Sequence, residues 1–302
     1  MPNLVKLNLL EKLSQRYGSI QKLPKSLSLF DVGNNAFRLY IRYSKLHSKN
    51  QAFYGLRYED LKQLAGINSI ICFIWDNQKE PLFIPFSDFE DVFNEIIPAS
   101  DGQFKTTIFL KDDVTELYIA NAGRFNVESF FGWGVIDNLI DFRTLIKIPN
   151  FSHYQVQTII GSIGKIKGYD IWIPFNDRNK LDWNYSEKFI CKETFPLRYD
   201  KIVDTLKEVD VVWIKKGSSD IKAMFEVEHS TPIYSGLLRF NDLHLVEPKL
   251  HPQYNIVSNS VRRSLFLRQI NRPTFRVSGL KENCNFLEYK DVFIWHKRLW
   301  KG

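Results

Sequence analysis

Apolar and polar positions follow two periods along this chain, one typical of half-buried strands and one typical of amphipathic helices. In the first half the pattern predicts helices over residues 1–13, 58–64 and 86–96, and strands over 37–43, 70–75, 81–85, 106–110 and 116–119. This mixture predicts a compact α+β unit. We identify no local motif in it that is typical of a catalytic site.

The second half has a different order of elements. A segment rich in turn-forming and aromatic residues, 132–152, is expected to be a loop that joins the halves, so we place the domains at 1–149 and 150–302. The pattern then predicts helices over 154–167, 234–245 and 261–270, and strands over 169–174, 208–214, 221–228 and 254–257. The turn formers at 217–220 predict that the second and third of these strands pair as an antiparallel hairpin.

Three carboxylates occupy the open end of this predicted hairpin. Asp210 lies near the start of one strand, and Glu226 and Glu228 lie near the end of the next. Because side chains alternate along a strand, Glu226 and Glu228 face the same side of the sheet. Carboxylate and carbonyl oxygens suit Mg²⁺, which can activate water for phosphodiester hydrolysis. Asp210, Glu226 and the backbone carbonyl of Val227 are therefore candidate magnesium ligands.

Short acidic patterns also arise by chance, and a solvated strand end would explain this one. The carboxylates, however, interrupt strands that are otherwise aliphatic and aromatic, where a charge is costly unless it is paired or bound to a metal. We therefore favour a metal site over a solvated strand end.

The second half resembles the PD-(D/E)XK nuclease superfamily, in particular its type II restriction endonucleases. The resemblance covers about residues 150–290 and rests on segments 168–174 (GYDIWIP), 209–214 (VDVVWI), 225–230 (FEVEHS), 234–242 (YSGLLRFND) and 270–274 (INRPT). It implies an α/β fold, with a restriction-endonuclease-like core of a mixed sheet flanked by helices after an α+β N-terminal domain. It also implies that Asp210 and Glu226 bind the metal.

The sequence departs from the superfamily pattern at Glu228, where a lysine is usual. Some restriction enzymes have this Glu-x-Glu form, so the resemblance still implies cleavage. Glu228 is then expected to orient or deprotonate the attacking water, or to bind a second metal ion. Lys222 faces the same side of its strand but lies about 20 Å away at ~3.3 Å per residue, so we do not expect it to replace the lysine.

Four further residues have a functional and a structural interpretation each. Gln157 is a candidate supporting residue on the helix before the first strand, although such glutamines are more often exposed. Asp170 is as readily a residue at the edge of the core, and for His229 the structural interpretation is favoured. Arg239 would contact a DNA phosphate or pair with Asp242 three residues later, and we favour the pairing.

Charge adds a partner to this picture. The net charge is +7, and the excess of basic residues falls entirely after residue 150. A positive field attracts polyanions, and arginine suits phosphate oxygens. The densest basic segment provides candidate DNA contacts at Arg262, Arg263, Arg268 and Arg272, although a solvated helix face explains it equally well. In the first half, Arg38, Tyr40 and Arg42 are candidate DNA contacts from position alone.

Composition excludes several classes of protein. At 44% hydrophobic and 15% aromatic residues the chain is not disordered, and its apolar runs are too short to span a membrane. The three cysteines lack the spacing of a zinc site or a disulfide framework, and we read no secretion signal, so we expect a cytoplasmic protein.

We therefore predict a Mg²⁺-dependent type II restriction endonuclease that cleaves double-stranded DNA at a specific sequence. Residues 150–302 would carry catalysis, and residues 1–149 would assist target recognition. A homodimer would match the symmetry of a palindromic target. Two alternatives stay open: a DNA-binding protein that kept the nuclease fold without activity, and an interaction module that binds no nucleic acid.

Overall fold

A computed structural model gives the structure of the protein. It describes residues 4–24, 26–111, 114–196, 199, 201–229, 232–248, 250 and 252–300. Residues 1–3 of the first predicted helix and Ser230 in segment 225–230 lie outside this range. The chain forms two compact units, Met1–Lys147 and Ile148–Gly302. Among the described helices, none has the length and apolar character needed to cross a membrane.

The N-terminal unit contains two sheets and four α-helices within its described residues. The helices are α1 (Leu4–Tyr17), α2 (Tyr58–Lys62), α3 (Glu90–Glu95) and α4 (Gly134–Leu145). One sheet has the order β1 (Ile20–Lys22), β2 (Leu29–Val32), β3 (Phe37–Ser44), β6 (Ser69–Trp75), β7 (Leu82–Pro85). The other has the order β10 (Gly123–Asn126), β9 (Thr115–Ile119), β8 (Gln103–Leu110), β5 (Gln51–Arg57), β4 (Leu46–His47).

The strand β6 is covered on both faces, which explains its continuous apolar sequence. Phe73 belongs to a buried cluster shared with the second sheet, whereas its neighbour Cys72 packs with residues of α1 and α4. Burial on both sides removes the alternation of polar residues that a half-exposed strand would show.

Two predictions for this unit were wrong. The expected loop over 132–152 contains α4, because Ile136 and Leu139 lie three residues apart and bury one helical face. The helix expected over 86–96 divides into a 3₁₀ turn, Phe86–Asp88, followed by α3. In the first case turn-forming and aromatic residues concealed a short amphipathic pattern, and in the second the predicted helix was too long.

The C-terminal unit is built around one mixed sheet. Its strands are β11 (Tyr169–Trp172), β12 (Val211–Lys215), β13 (Ile221–Val227), β14 (Gln253–Ser258) and β15 (Cys284–Glu288). Its helices are α5 (His153–Ile166), α6 (Phe175–Arg178), α7 (Val203–Lys207), α8 (Ile233–Val246), α9 (Arg263–Ile270), α10 (Pro273–Ser278) and α11 (Tyr289–Leu299). The order follows the predicted succession from α5 to α9, with α6 and α7 added between β11 and β12, whereas α10, β15 and α11 were not predicted. The chain therefore has a mixed α/β fold.

Helix α5 begins at a capping box. The side chain of Ser152 accepts a hydrogen bond from the backbone N–H of Gln155, and the Gln155 side chain accepts one from the backbone of Ser152. The helix buries Val156, Ile159 and Ile163, as their spacing predicts.

Strand directions bring several strand ends together at one end of this sheet. The strands β11, β12 and β13 pair antiparallel, whereas β13, β14 and β15 pair parallel. The carboxyl ends of β11, β13, β14 and β15 therefore lie beside the amino end of β12. Residues that follow the first four strands or precede β12 share this end.

Candidate functional site

Asp210 lies at this end of the sheet, one residue before β12. Its half-buried carboxylate accepts a hydrogen bond at Oδ2 from the backbone N–H of Val227, at 2.6 Å. The last cross-strand pair joins Val211 to Phe225, so Asp210 lies beside Glu226 on the neighbouring strand. The hairpin thus holds the Asp210 side chain across the end of β13.

Glu226 and Glu228 are both buried, each 2% exposed. Their side chains point to α8, where a Cβ atom built on Gly236 would lie 2.9 Å from Glu226 Cγ and 3.0 Å from Glu228 Oε1. The backbone of Glu228 is held by β14, since its N–H donates to Val257 and its carbonyl accepts from the Ser258 hydroxyl. Both carboxylate side chains therefore pack against α8 at Gly236, where the helix has no side chain.

The charges at this end of the sheet act on Glu226. Burial raises the pKa of Glu226 well above its usual range, and the charges of Asp210 and Glu228 raise it further. Arg239 on α8 opposes this shift, because its Nη1 donates to Glu226 Oε1 at 2.8 Å. The favoured pairing of Arg239 with Asp242 was wrong, since the tertiary contact to a buried carboxylate takes the guanidinium instead.

His153 and Asp177 lie beside Asp210 on the side of α5 and α6. Nitrogen and oxygen atoms of these three residues lie within 4.8 Å of one another, and His153 Nε2 is 3.4 Å from Asp210 Oδ1. Burial lowers the pKa of His153, but the hydrogen bond to Asp210, the charges of Asp210 and Asp177 and a hydrogen bond to the Val227 backbone outweigh it. The net shift is upward, which favours the imidazolium.

Gln157 is buried, contrary to our expectation of an exposed glutamine. Its Nε2 donates to the backbone carbonyl of Asp210 at 2.9 Å and to Asp177 Oδ2 at 3.3 Å. Its Oε1 is buried and has no hydrogen-bond partner within the described part of the chain. The residue therefore connects α5 to both acidic residues.

Asp170 lies away from this end of the sheet. It pairs across the strands with Ile214, four residues along β12 from Asp210, and its carboxylate is 3.6 Å from Lys192. His229 is exposed and stacks on Tyr289, with 3.3 Å between His229 Nδ1 and the tyrosine hydroxyl. Its side chain follows the carboxylates and packs beside the end of β15.

The four arginines of the basic segment fall into two pairs. Arg262 donates to the Glu228 backbone carbonyl at 2.7 Å, and Arg263 pairs with Glu288 at 3.1 Å. Arg268 and Arg272 are exposed, with Arg272 lying over the ring of Tyr234. Arg262 thus contacts the backbone beside the carboxylates, Arg263 is held by Glu288, and the second pair lies on the surface.

The candidate contacts in the N-terminal unit differ in accessibility. The Arg38 guanidinium donates to both carboxylate oxygens of Asp31, and Tyr40 is a fully buried core residue. Arg42 is half-buried and lies over the Tyr40 ring. Arg38 therefore has an ion-pair partner within its own unit, and Tyr40 has a structural role in the core.

The donor set suits a divalent cation on chemical grounds. Hard carboxylate oxygens lie together at Asp210 and Glu226; burial raises the pKa of Glu226 first and the negative charge of Asp210 raises it further, a repulsion that a cation would relieve. Gln157, which is bonded to the Asp210 carbonyl through Nε2, offers a further oxygen at Oε1, for which the described residues provide no hydrogen-bond partner. A magnesium-type ion therefore fits the residues present.

His153 and Asp177 were not among the site residues predicted from the sequence. A signal for Asp177 was present, because it follows β11 by a few residues and the carboxyl end of β11 meets the amino end of β12. For His153, the capping box placed the start of α5, but only the packing of α5 on the sheet brings that start to Asp210.

Comparison with known proteins identifies the family of this second unit. Residues 143–297, more than half of the chain, match the family described as type II restriction enzyme NmeDI C-terminal domain. The chain belongs to this family. The NmeDI match includes every residue of the candidate site, from His153 to Tyr289.

One curated relative is the type II restriction enzyme NmeDI of Neisseria meningitidis serogroup C. It is 29% identical over 135 residues, which cover 41% of this chain and 37% of the relative. The matched region thus spans little more than a third of NmeDI. The search of solved structures gave no match.

Proposed function

We propose that this chain is a Mg²⁺-dependent type II restriction endonuclease, with a PD-(D/E)XK-like catalytic unit over residues 148–302. The observation that carries the proposal is the convergence of Asp210, Glu226 and Glu228 at one end of the sheet, within the segment that matches the NmeDI family. The succession of α5, β11, β12, β13, α8 and β14 supports the assignment to this superfamily.

Asp210, Glu226 and the backbone carbonyl of Val227 would hold the metal. When bound, the ion would polarise a water molecule and neutralise charge on the phosphate. The chain fixes two of these ligands in place, because Asp210 is bonded to the Val227 N–H and Glu226 is packed under α8.

Glu228 occupies the position where the superfamily usually has lysine. Its backbone is held by Ser258 and Arg262, so its side chain is kept on the same face as Glu226. A carboxylate there can accept a proton from water, whereas a lysine would place a positive charge next to the phosphate. We assign to Glu228 the orientation or deprotonation of the attacking water.

Double-stranded DNA is the proposed substrate. Arg268 and Arg272 are exposed and suit phosphate contacts, and Arg262 contacts the backbone of Glu228. The N-terminal unit would assist target recognition, and a homodimer would suit a palindromic target.

The alternative is a DNA-binding protein without cleavage activity, and Glu228 in place of lysine is the observation that favours it. Cleavage of long DNA separates the two. We expect discrete fragments from unmodified or methylated DNA in Mg²⁺ and intact DNA in EDTA. Salt-sensitive binding without any cleavage in Mg²⁺ or Mn²⁺ would establish the alternative.

Substitution of the proposed ligands tests the site directly. Asp210→Asn and Glu226→Gln should each lower the Mg²⁺-dependent cleavage rate at least about a thousandfold, because a ligand charge is lost. Asp204→Asn is the matched control, since Asp204 is exposed on α7 and pairs only weakly with Lys207 at 3.6 Å. Near-normal cleavage by either ligand variant would refute the assignment.

A further inference from the structure

Arg239 is placed where it can respond to the charge of the carboxylates. It lies on α8, three residues after Gly236, and this glycine lets the helix pack directly on Glu226 and Glu228. The guanidinium donates to Glu226 Oε1 at 2.8 Å and stays 30% exposed. One part of the arginine therefore contacts a buried carboxylate while another part contacts solvent.

The ion pair includes more than two charges. Burial lowers the pKa of Arg239, but the charges of Glu226, Asp210 and Glu228 outweigh burial and raise it. Glu226 is almost fully buried, and a buried carboxylate without a counter-charge is strongly unfavourable. In the metal-free protein Arg239 supplies that counter-charge.

The proposed metal site requires the same carboxylate. Glu226 is both the partner of Arg239 and a proposed ligand, so a divalent cation on Glu226 would lie next to the guanidinium. Two cations on one buried carboxylate repel each other strongly, because the protein interior screens charge weakly. Metal and Arg239 therefore compete for Glu226.

We propose that Arg239 is the counter-ion of the metal-free site, that a divalent cation displaces it from Glu226, and that the released guanidinium binds a phosphate of the DNA beside the site. This inference rests on the proposed function. It assigns to Arg239 the positive charge that the superfamily's lysine supplies elsewhere. An arginine suits this exchange because its planar group binds carboxylate and phosphate in the same way.

Metal binding without DNA tests the first step. Mn²⁺ affinity of the full chain would be measured by electron paramagnetic resonance at pH 8, for the wild type and for Arg239→Gln and Arg239→Lys. We expect Arg239→Gln to bind Mn²⁺ about tenfold more tightly because it removes a competing cation. Arg239→Lys keeps the charge and should stay within about threefold of the wild type.

A matched control removes the same charge from a different ion pair. Arg263 pairs with Glu288 at 3.1 Å, so Arg263→Gln tests whether a lower net charge alone tightens Mn²⁺ binding. We expect a change of less than about threefold for this control. Thermal unfolding of each variant identifies any that fails to fold; if Arg239→Gln fails, Arg239→Met, which also removes the charge, replaces it in the comparison.

Weaker or unchanged Mn²⁺ binding in Arg239→Gln would overturn the proposal. Weaker binding would mean that Arg239 only positions Glu226, and unchanged binding would mean that it does not compete with the metal. Equal tightening in Arg239→Gln and Arg263→Gln would also overturn it, because a general charge effect would then explain the result.

Single-turnover cleavage tests the second step. With Mg²⁺ at saturation, Arg239→Gln should cleave at least about thirtyfold more slowly than the wild type although it binds metal more tightly. Undiminished cleavage would refute the phosphate contact. If the wild type cleaves no DNA, the proposed function fails, whereas the Mn²⁺ comparison still decides whether Arg239 and metal compete.

Discussion

The strands β6 and β13 have the same length and both lie inside a sheet, yet they use burial differently. Each residue of β6 is buried, and none of them is charged. The strand β13 is buried almost as completely, but it includes Glu226 at 2% exposure. One strand fills its covered faces with apolar side chains, and the other keeps a carboxylate in a comparable position.

This difference separates packing from chemistry. An apolar side chain in a covered strand stabilises the fold by leaving water, whereas a buried carboxylate costs free energy unless a counter-charge compensates it. Arg239 compensates Glu226 only in part, as the raised pKa of Glu226 indicates. Stability alone would therefore favour an uncharged residue at position 226.

Substitutions in the two strands should differ strongly in their effect on the free energy of unfolding, and this is the largest stability difference that we predict. Phe73→Ala in β6 removes a fully buried ring and should lower the free energy of unfolding by about 3–5 kcal/mol. Glu226→Gln in β13 should change it by less than about 1 kcal/mol, because it removes a costly charge while keeping the shape. Urea unfolding of both variants measures the difference.

The comparison would fail if Glu226→Gln destabilised the protein as strongly as Phe73→Ala. That result would make Glu226 a structural residue. A loss of cleavage together with retained stability would support its catalytic role.

A methyl group at position 236 should disturb the carboxylates of β13 without unfolding the protein. The added Cβ of Gly236→Ala would lie 2.9 Å from Glu226 Cγ and 3.0 Å from Glu228 Oε1, so these buried side chains must shift. We expect cleavage to slow about tenfold to a hundredfold, since misplaced reacting groups lose orientation. Single-turnover cleavage measures the effect.

Gly134→Ala is the control for this substitution. A Cβ at Gly134, the first residue of α4, meets no atom within 4 Å, so cleavage should be unchanged. Equal rates for wild type and Gly236→Ala would show that the carboxylates have room to move, contrary to the packing described here.

The opposite face of the β13 sheet contains a buried titratable group with a smaller effect. Burial and the charge of Lys297 lower the pKa of His296 to about 4, and Ser162 lies 3.0 Å from its Nε2. The folded protein thus holds His296 neutral, whereas the unfolded chain binds a proton at higher pH. The contribution of His296 to the free energy of unfolding is therefore fully present above pH 6.5 and is lost as the pH falls towards 4. At pH 5 the loss is about 2 kcal/mol.

His296→Gln should remove this pH dependence. Between pH 7 and pH 5 the variant should lose about 2 kcal/mol less stability than the wild type, because the other titrating groups are shared. Urea unfolding at both pH values gives the two differences. Parallel losses in both proteins would show that His296 is already protonated in the fold.

Local patterns predicted much of the C-terminal unit. The alternation in β12 and β13 and the turn between them placed Asp210, Glu226 and Glu228 correctly along the chain, because strand parity is a local property. The start of α5 also depends on local sequence, because Ser152 and Gln155 of its capping box lie within four residues of chain.

Other parts of the site depend on tertiary packing and were not predictable from local pattern. Asp242 lies at helical spacing from Arg239, yet the ion-pair partner of Arg239 is Glu226, which lies thirteen residues earlier on β13. His153 and Asp177 approach Asp210 only because the start of α5 and the short helix α6 both lie at the same end of the sheet. Helix α4 was concealed because turn-forming residues flank its apolar positions.

The strand order of the N-terminal unit has a consequence for its folding. The chain completes β1 to β3 in one sheet, passes to β4 and β5 in the other, returns for β6 and β7, and leaves again for β8 to β10. Neither sheet can be completed before the chain has crossed between the two sheets repeatedly. The strand β3 therefore pairs with β6, and β5 with β8, only after the intervening strands have been placed in the other sheet. Such non-local pairing slows folding and makes it cooperative. A fragment that ends before β8 would leave one edge of β5 unpaired and expose the shared core to aggregation.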